Sequence, residues 1–308
     1  MDWGDRAGES AELKRAVSGV LVIDKPVGMS SHDVVQVVRR GSGIRRVGHT
    51  GTLDPRASGV LVVLVGSAVR LSEYLSSSDK EYQAVIRLGR ETDTYDAEGR
   101  TLASSEVNVS REEVEAALQG FVGEFEQEPP PFSAIKVKGK RAYDLARQGK
   151  EVDLAPRKIT VYSIELLEWD PPEATINVAC SSGTYIRSLA HDLGQVLGCG
   201  AMLAGLRRTR SGRFTLKQAV PLSRLEQAFA ESGWASYLLP AAEALSDWPS
   251  VELSEEQIEA VRHGMRIPAG EGEFSLACGL DQQGELVALL GYDAATHEWM
   301  PKKVLFDL

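Results

Sequence analysis

No stretch of this 308-residue chain approaches the roughly 18 consecutive apolar residues of a membrane-spanning helix. The reading is therefore a protein with no place in a bilayer. The opening run MDWGDRAGESAELKRA has no apolar core, so it is not a secretory signal, and residues 1–18 read as a mobile polar tail. Cysteine is scarce: Cys180, Cys199 and Cys278 are far apart, odd in number and without a Cys-x-x-Cys pair. That disfavours a disulfide framework or a zinc site and suits the reducing cytoplasm. Internal repeats and low-complexity tracts are absent as well. What remains is an ordinary soluble composition, 43% hydrophobic and 25% charged, long enough for one large domain and a small one.

Excess positive charge is also missing, since the net charge is −10. The distribution reverses the first impression. Residues 220–308 hold 5 Lys and Arg against 15 Asp and Glu, which leaves 29 of each sign over residues 1–219. Within that neutral part the cations are clumped. Lys136, Lys138, Lys140, Arg141, Arg147, Lys150, Arg157 and Lys158 face only Asp144, Glu151 and Asp153. Arg207, Arg208, Arg210, Arg213 and Lys217 enclose no acid, and Arg39, Arg40, Arg45, Arg46 and Arg56 bracket residues 47–55. One such cluster is ordinarily a solvated face; three of them point to a polyanionic ligand.

The third cluster surrounds GHTGTLDPRASG at 48–59, which holds Asp54 in a rigid setting. A residue before proline is pushed from the helical region toward extended backbone. Gly48, Gly51 and Gly59 permit turns or close approaches that a side chain would block. Behind the loop, VLVVLVG at 60–66 reads as a buried strand. A carboxylate on a stiff loop at the mouth of a core strand can serve as acid, base or nucleophile.

Along the chain, GVLVIDKP (19–26) reads as a strand, followed by a helix capped at Ser30 or Ser31 with Val34, Val35, Val37 and Val38 inward. A helix is expected near 68–77, a strand at 81–89, and a capping box of Ser110 and Glu113 opening another helix. Residues 128–152 begin with three prolines and carry little core, which suggests a surface excursion whose YDLARQG part forms a short helix ending at Gly149. Strands are expected at 159–169 and 175–180, and a turn and amphipathic helix at 183–198. After residue 250, Ser254 and Gln257 cap a helix, and strands follow at 274–280, 285–292 and 303–308. Strands and helices do not alternate strictly, so the fold class is α+β, a mixed, largely antiparallel sheet flanked by helices, plus a small β-barrel or sandwich.

The sequence resembles the TruB-type pseudouridine synthases in five segments that match in order and spacing. They are LVIDKPVGMSS (21–31), GHTGTLDPRASGVL (48–61), DKEYQAVIRLGRETDTYDAEG (79–99), CSSGTYIRSLAHDLG (180–194) and GCGAMLAGLRRTRSGRF (198–214), followed by a module similar to a PUA domain that ends in PKKVL. The resemblance implies a pseudouridine synthase catalytic domain at 19–245, with an RNA-binding insertion at about 124–156, and a PUA-like, β-barrel-like domain at 246–308.

It also implies an activity, the isomerisation of uridine 55 in the tRNA T-loop, by a cytoplasmic enzyme that needs no cofactor, metal or obligatory protein partner. Asp54 becomes the catalytic carboxylate, a nucleophile that attacks C1′ or C6 or a base that takes a proton from C2′. Tyr82 stacks on the target base, and Arg187 pairs with Asp54 and keeps it ionised. Leu206 walls the base pocket, His49 fills the space vacated by the flipped uridine, and Lys25, close to the catalytic centre, joins them in binding substrate. Lys136, Lys138, Lys140, Arg141 and Arg147 in the insertion contact the T-arm phosphates. Two alternatives stand beside this reading: a guide-dependent synthase of box H/ACA particles, whose members lack the long insertion, and a non-catalytic tRNA chaperone.

Overall fold

The computed structural model describes residues 17–133, 136–137, 140–141, 154–270 and 274–305. Contacts divide the chain into two compact units: Met1–Pro55 with Val60–Ser76 and Leu216–Leu308, and Arg56–Gly59 with Ser77–Thr215.

In the first unit, the apolar strand Gly19–Lys25 runs parallel to Val220–Pro221, with Ile23 opposite Val220. Ser30 then stops the chain with a capping box. Its hydroxyl accepts from the Asp33 N–H, and the Asp33 carboxylate accepts from the Ser30 N–H. The helix Ser31–Ser42 that follows buries Val34, Val35, Val37 and Val38, as their spacing requires. Val47–His49 pairs antiparallel with the far end of strand Ala57–Val65, whose residues from Val60 onward are buried. The helix expected at 68–77 is instead a 3-10 turn, Gly66–Leu71, running into a short helix, Ser72–Ser76. Gly66, at φ +66°, ends the strand and starts the tighter turn.

The same unit carries a five-stranded sheet in the order Ser250–Glu252, Leu276–Leu280, Leu286–Asp293, Glu298–Val304, Ile267–Pro268. Leu253, Val261, Ile267, Ala277, Val287, Leu290 and Trp299 pack in its core. Ser254 and Gln257 form the expected capping box on helix Glu255–Arg262. The last strand begins five residues earlier than the sequence suggested, because the buried Trp299 belongs to the core and pairing already starts at Glu298 opposite Asp293. This sheet is tied to the short helix by an ion pair of 2.9 Å between Lys303 and Glu73, and by Arg70 donating to the Val304 carbonyl.

The second unit is built on a mixed sheet. Ala201–Ser211 lies parallel to Ala57–Gly59 and antiparallel to Lys80–Leu88. The sheet continues antiparallel through Glu173–Cys180 and Arg157–Asp170 to Gly123–Gln127. Alternation puts Tyr82, Ala84, Ile86 and Leu88 on one buried face. Helix Ile186–Val196 packs on strand Ala201–Ser211, and helix Arg111–Gln119 opens with the capping box of Ser110 and Glu113. The α+β class with a mixed, largely antiparallel sheet is as the sequence indicated. Strand Ala201–Ser211 was not anticipated, since its arginines masked an extended segment. In the excursion, Lys136–Val137 pairs antiparallel with Lys140–Arg141. The helix expected before Gly149 lies outside the described residues.

Candidate active site

In the first unit, the loop carrying Asp54 is fixed from two sides. The Ser31 hydroxyl donates to the Leu53 carbonyl (3.0 Å) and accepts from the Leu53 N–H (2.7 Å), so the first residue of a helix grips the residue before Asp54. The Gly28 N–H donates to the Pro55 carbonyl at 2.8 Å. Lys25 completes the arrangement. Its side chain is wholly buried, and its ammonium donates to the carbonyls of Pro26 (2.9 Å), Met29 (2.5 Å) and Pro55 (3.5 Å). A buried cation among carbonyl oxygens is compensated by charge-assisted hydrogen bonds. Asp54 itself is half-buried, with Leu53 buried before it and Pro55 exposed after it.

His49 sits at the end of strand Val47–His49, opposite Val63, and its Nδ1 accepts from the Gly51 N–H at 3.3 Å. Of the flanking glycines given special weight in the sequence, Gly59 has a clear steric demand. Its φ is +102°, and a Cβ there would lie 2.2 Å from the Arg208 carbonyl oxygen. At Gly48 a Cβ would meet only ordinary contact, 3.6 Å from Val69.

In the second unit, Tyr82 is 9% exposed and stands opposite Val178 on one neighbouring strand and Arg208 on the other. Leu206 lies between two small residues, Ala57 and Ala84, in the register of its neighbours. Arg187 is on the first turn of helix Ile186–Val196 and is 9% exposed. No side chain caps that helix from Tyr185. Instead the buried Gln127 reaches across, donating to the Tyr185 carbonyl (3.0 Å) and accepting from its N–H (2.8 Å).

The Arg187 guanidinium donates to the Thr94 carbonyl (3.4 Å) and lies 3.6 Å from the Asp96 carboxylate. Asp96 is itself held: its other oxygen accepts from the Thr94 hydroxyl (2.6 Å) and the Glu98 N–H (3.0 Å). Sequence reasoning missed Asp96. It lies in the DTYDAEG segment quoted for the resemblance, but a polar turn carries no local sign that an arginine 91 residues later will use it.

The basic clusters separate on inspection. Arg208 is 2% exposed, Arg210 is ion-paired with Glu81 at 2.8 Å, and Arg207 donates to the Ser58 hydroxyl at 3.3 Å. The 207–217 cluster is thus partly committed to its own sheet rather than offered to a polyanion. Lys136, Lys140 and Arg141 lie on the small hairpin described above, whereas Lys138 and Arg147 are outside the described residues. Among the described residues, no group of three or more His, Cys, Asp or Glu is placed to hold a metal ion. None of the helices searched there is long and apolar enough to cross a membrane. A concavity of about 550 Å³, lined by Arg87, Arg90, Ser104, Ser105, Pro171 and Pro172 among others, holds no carboxylate and none of the candidate residues.

Comparison with known proteins gives a consistent result. A family model for the TruB family pseudouridylate synthase N-terminal domain matches residues 39–186, and one for the tRNA pseudouridylate synthase B C-terminal domain matches residues 187–246. The tRNA pseudouridine synthase B of Pseudomonas aeruginosa (strain UCBPP-PA14) is 44% identical over 281 residues, which is 90% of this chain and 92% of the relative. That of Solibacter usitatus (strain Ellin6076) is 44% identical over 278 residues, 89% and 95% of the two chains. Among solved structures, a chain of an H/ACA ribonucleoprotein bound to a substrate RNA containing 2′-deoxyuridine matches with a TM-score of 0.73 and 27% identity, covering 96% of this chain and 87% of that one. A chain of a Cbf5-Nop10-Gar1 complex matches with a TM-score of 0.71 and 30% identity, covering 92% and 80%.

Proposed function

As the chain belongs to the TruB family of pseudouridylate synthases, we propose that it converts uridine 55 in the T-loop of tRNA to pseudouridine, with Asp54 as the catalytic nucleophile or base. The coarser statement, an isomerase that pseudouridylates tRNA, rests on 44% identity to named tRNA pseudouridine synthases over nine-tenths of the chain. That match carries the reading. The reaction breaks the N-glycosidic bond, turns the base and rejoins it through carbon, so the product has the same atoms as the substrate.

In this reading Asp54 supplies the one carboxylate the reaction requires, and three routes stay open to it: attack on C1′, attack on C6, or removal of the C2′ proton. The fixation of its loop by Ser31, Gly28 and Lys25 supports a role that depends on position, because a preorganised group need not reorganise during the reaction. Tyr82 stacks on the uracil, and Leu206 bounds the base. Arg187 supplies the positive charge that keeps the Asp54 carboxylate ionised, with Asp96 and the Thr94 carbonyl orienting its guanidinium. His49 takes the place of the flipped base, which offsets part of an unstacking cost of a few kcal/mol. Lys25, whose ammonium is committed to backbone carbonyls, acts on the loop rather than on RNA.

The insertion at about 124–156 contacts the T-arm through Lys136, Lys138, Lys140, Arg141 and Arg147. We read residues 19–245 as catalytic and 246–308 as a PUA-like module whose acidity limits its share of RNA affinity. The enzyme works in the cytoplasm, where its substrate is found. A guide-dependent reading is favoured by the fold match to H/ACA chains, yet identity there is 27–30%, against 44% for the tRNA enzymes. The test is to incubate the purified protein alone with an unmodified tRNA transcript and map pseudouridine. Modification at position 55 alone supports the proposal. Modification elsewhere, or only when a guide RNA and partner proteins are added, overturns it.

A further inference from the structure

Arg187 is gripped by a turn that contains a backbone outlier. Tyr95, between the two residues that hold the guanidinium, has φ +64°, a left-handed conformation that a bulky L-residue adopts only when its surroundings over-determine it. Three contacts hold it there. The Tyr95 carbonyl accepts from the Leu203 N–H at 2.9 Å, and the Tyr95 N–H donates to the Thr92 carbonyl at 3.2 Å. Its ring lies flat on the imidazole of His191, centroids 3.9 Å apart and planes within 8°.

His191 is four residues after Arg187 on helix Ile186–Val196, hence one turn further along the same face. Its Nδ1, at the ring edge, is buried and has no hydrogen-bond partner among the described residues, and the face of the ring makes the stack. The turn is therefore bolted to the helix twice, by the ion pair at Arg187 and by the stack at His191. Sequence reading singled out neither ring.

We infer that Tyr95 and His191 form a positioning pair for Arg187: their stack locks the left-handed Tyr95 backbone and so aims the Thr94 carbonyl and the Asp96 carboxylate at the guanidinium. If the ring lifted off His191, the two backbone hydrogen bonds alone would hold Tyr95 against its preference for negative φ, and the peptide planes on either side, which carry the Thr94 carbonyl and lead to Asp96, would be freer to rotate.

This inference deepens the proposed function and relies on it for its activity readout. The full-length protein is assayed on unmodified tRNA transcript under single-turnover conditions, with tRNA affinity measured separately. His191→Ala lowers the rate constant by about tenfold or more, the scale at which small misplacements act, and leaves affinity unchanged. His191→Phe, which keeps a flat ring and removes the orphaned nitrogen, restores the rate to within about twofold of the wild type. Tyr95→Ala, which keeps the strain of a left-handed L-residue but lacks the ring, behaves like His191→Ala, whereas Tyr95→Phe does not. In an Asp96→Asn background, His191→Ala adds no further loss, because both act through one arginine.

A fully additive loss, or equal rates for His191→Ala and His191→Phe, overturns the inference while leaving the proposed function intact. Wild-type protein inactive on every tRNA overturns the proposed function instead. The inference is then read from nitrogen NMR of the Arg187 guanidinium, whose rotation is slow in wild type and His191→Phe and fast in His191→Ala. Equal rotation in all three overturns it. Thermal melting of each variant verifies that the fold is kept, and should His191→Ala not fold, His191→Leu fills the space without a flat ring and takes its place.

Discussion

Replacing Lys25 by Met separates two roles for a residue whose motif suggests contact with substrate and whose surroundings suggest a brace. Methionine keeps the aliphatic volume and deletes the ammonium. Two close hydrogen bonds go, to Pro26 (2.9 Å) and Met29 (2.5 Å), together with the longer one to Pro55 (3.5 Å). The Pro55 oxygen keeps its bond from the Gly28 N–H, so two carbonyls lose the donor seen here. Hydrogen bonds from a charged donor contribute ~1.5–3 kcal/mol each. Pro26 is exposed and Met29 half-exposed, so water can reach those carbonyls in part, and not burying a charge offsets some of the rest. The sum is a loss of about 2–3 kcal/mol. Urea denaturation should show a lower midpoint with unchanged slope. Loosening of the Asp54 loop should lower the single-turnover rate by about tenfold or more, with tRNA affinity and its salt dependence unchanged. If Lys25 instead bound phosphate, stability would stay within ~0.5 kcal/mol of wild type, while affinity and salt slope fell. That second pattern would refute the reasoning.

Two further outcomes are expected. Burial and the neighbouring Arg208 charge bring the Lys80 ammonium down from 10.5 to about 8, so above pH 8 the folded protein releases a proton that the unfolded chain retains. The stability of wild type relative to Lys80→Met therefore rises between pH 8 and 10, by about 1–2 kcal/mol once residual screening is allowed for. The comparison with the variant removes the opposing effect of Cys278 and most of that of Cys180, whose thiols burial pushes up to about 11 although the Lys80 charge lowers that of Cys180, and a flat or shrinking gap contradicts the assignment. Neutralising Lys136, Lys138, Lys140 and Arg141 together should weaken tRNA binding and reduce the salt slope by up to about 3–4. An unchanged slope means that the excursion is not the contact surface.

Local signals made much of this structure readable. The capping boxes at Ser30, Ser110 and Ser254 and the apolar run after Gly59 are written in a few neighbouring residues, and each appears where it was read. What was not readable depends on distant chain. Ala201–Ser211 looked like a basic patch because a single sequence cannot reveal that Arg208 is buried opposite Tyr82 or that Arg210 meets Glu81. A lysine in a Lys-Pro turn looks like a surface charge until three carbonyls converge on it. Asp96 and His191 were passed over for the same reason: their meaning comes from the contact between a turn at 92–97 and a helix some 90 residues later.

The central claim is that a single carboxylate, Asp54, carries the chemistry. Its most direct test is Asp54→Asn, assayed by tritium release from a T-loop stem-loop containing 5-tritiated uridine. The account predicts a folded protein that binds tRNA as wild type does and releases no tritium above background. Substantial turnover by the folded variant would contradict it.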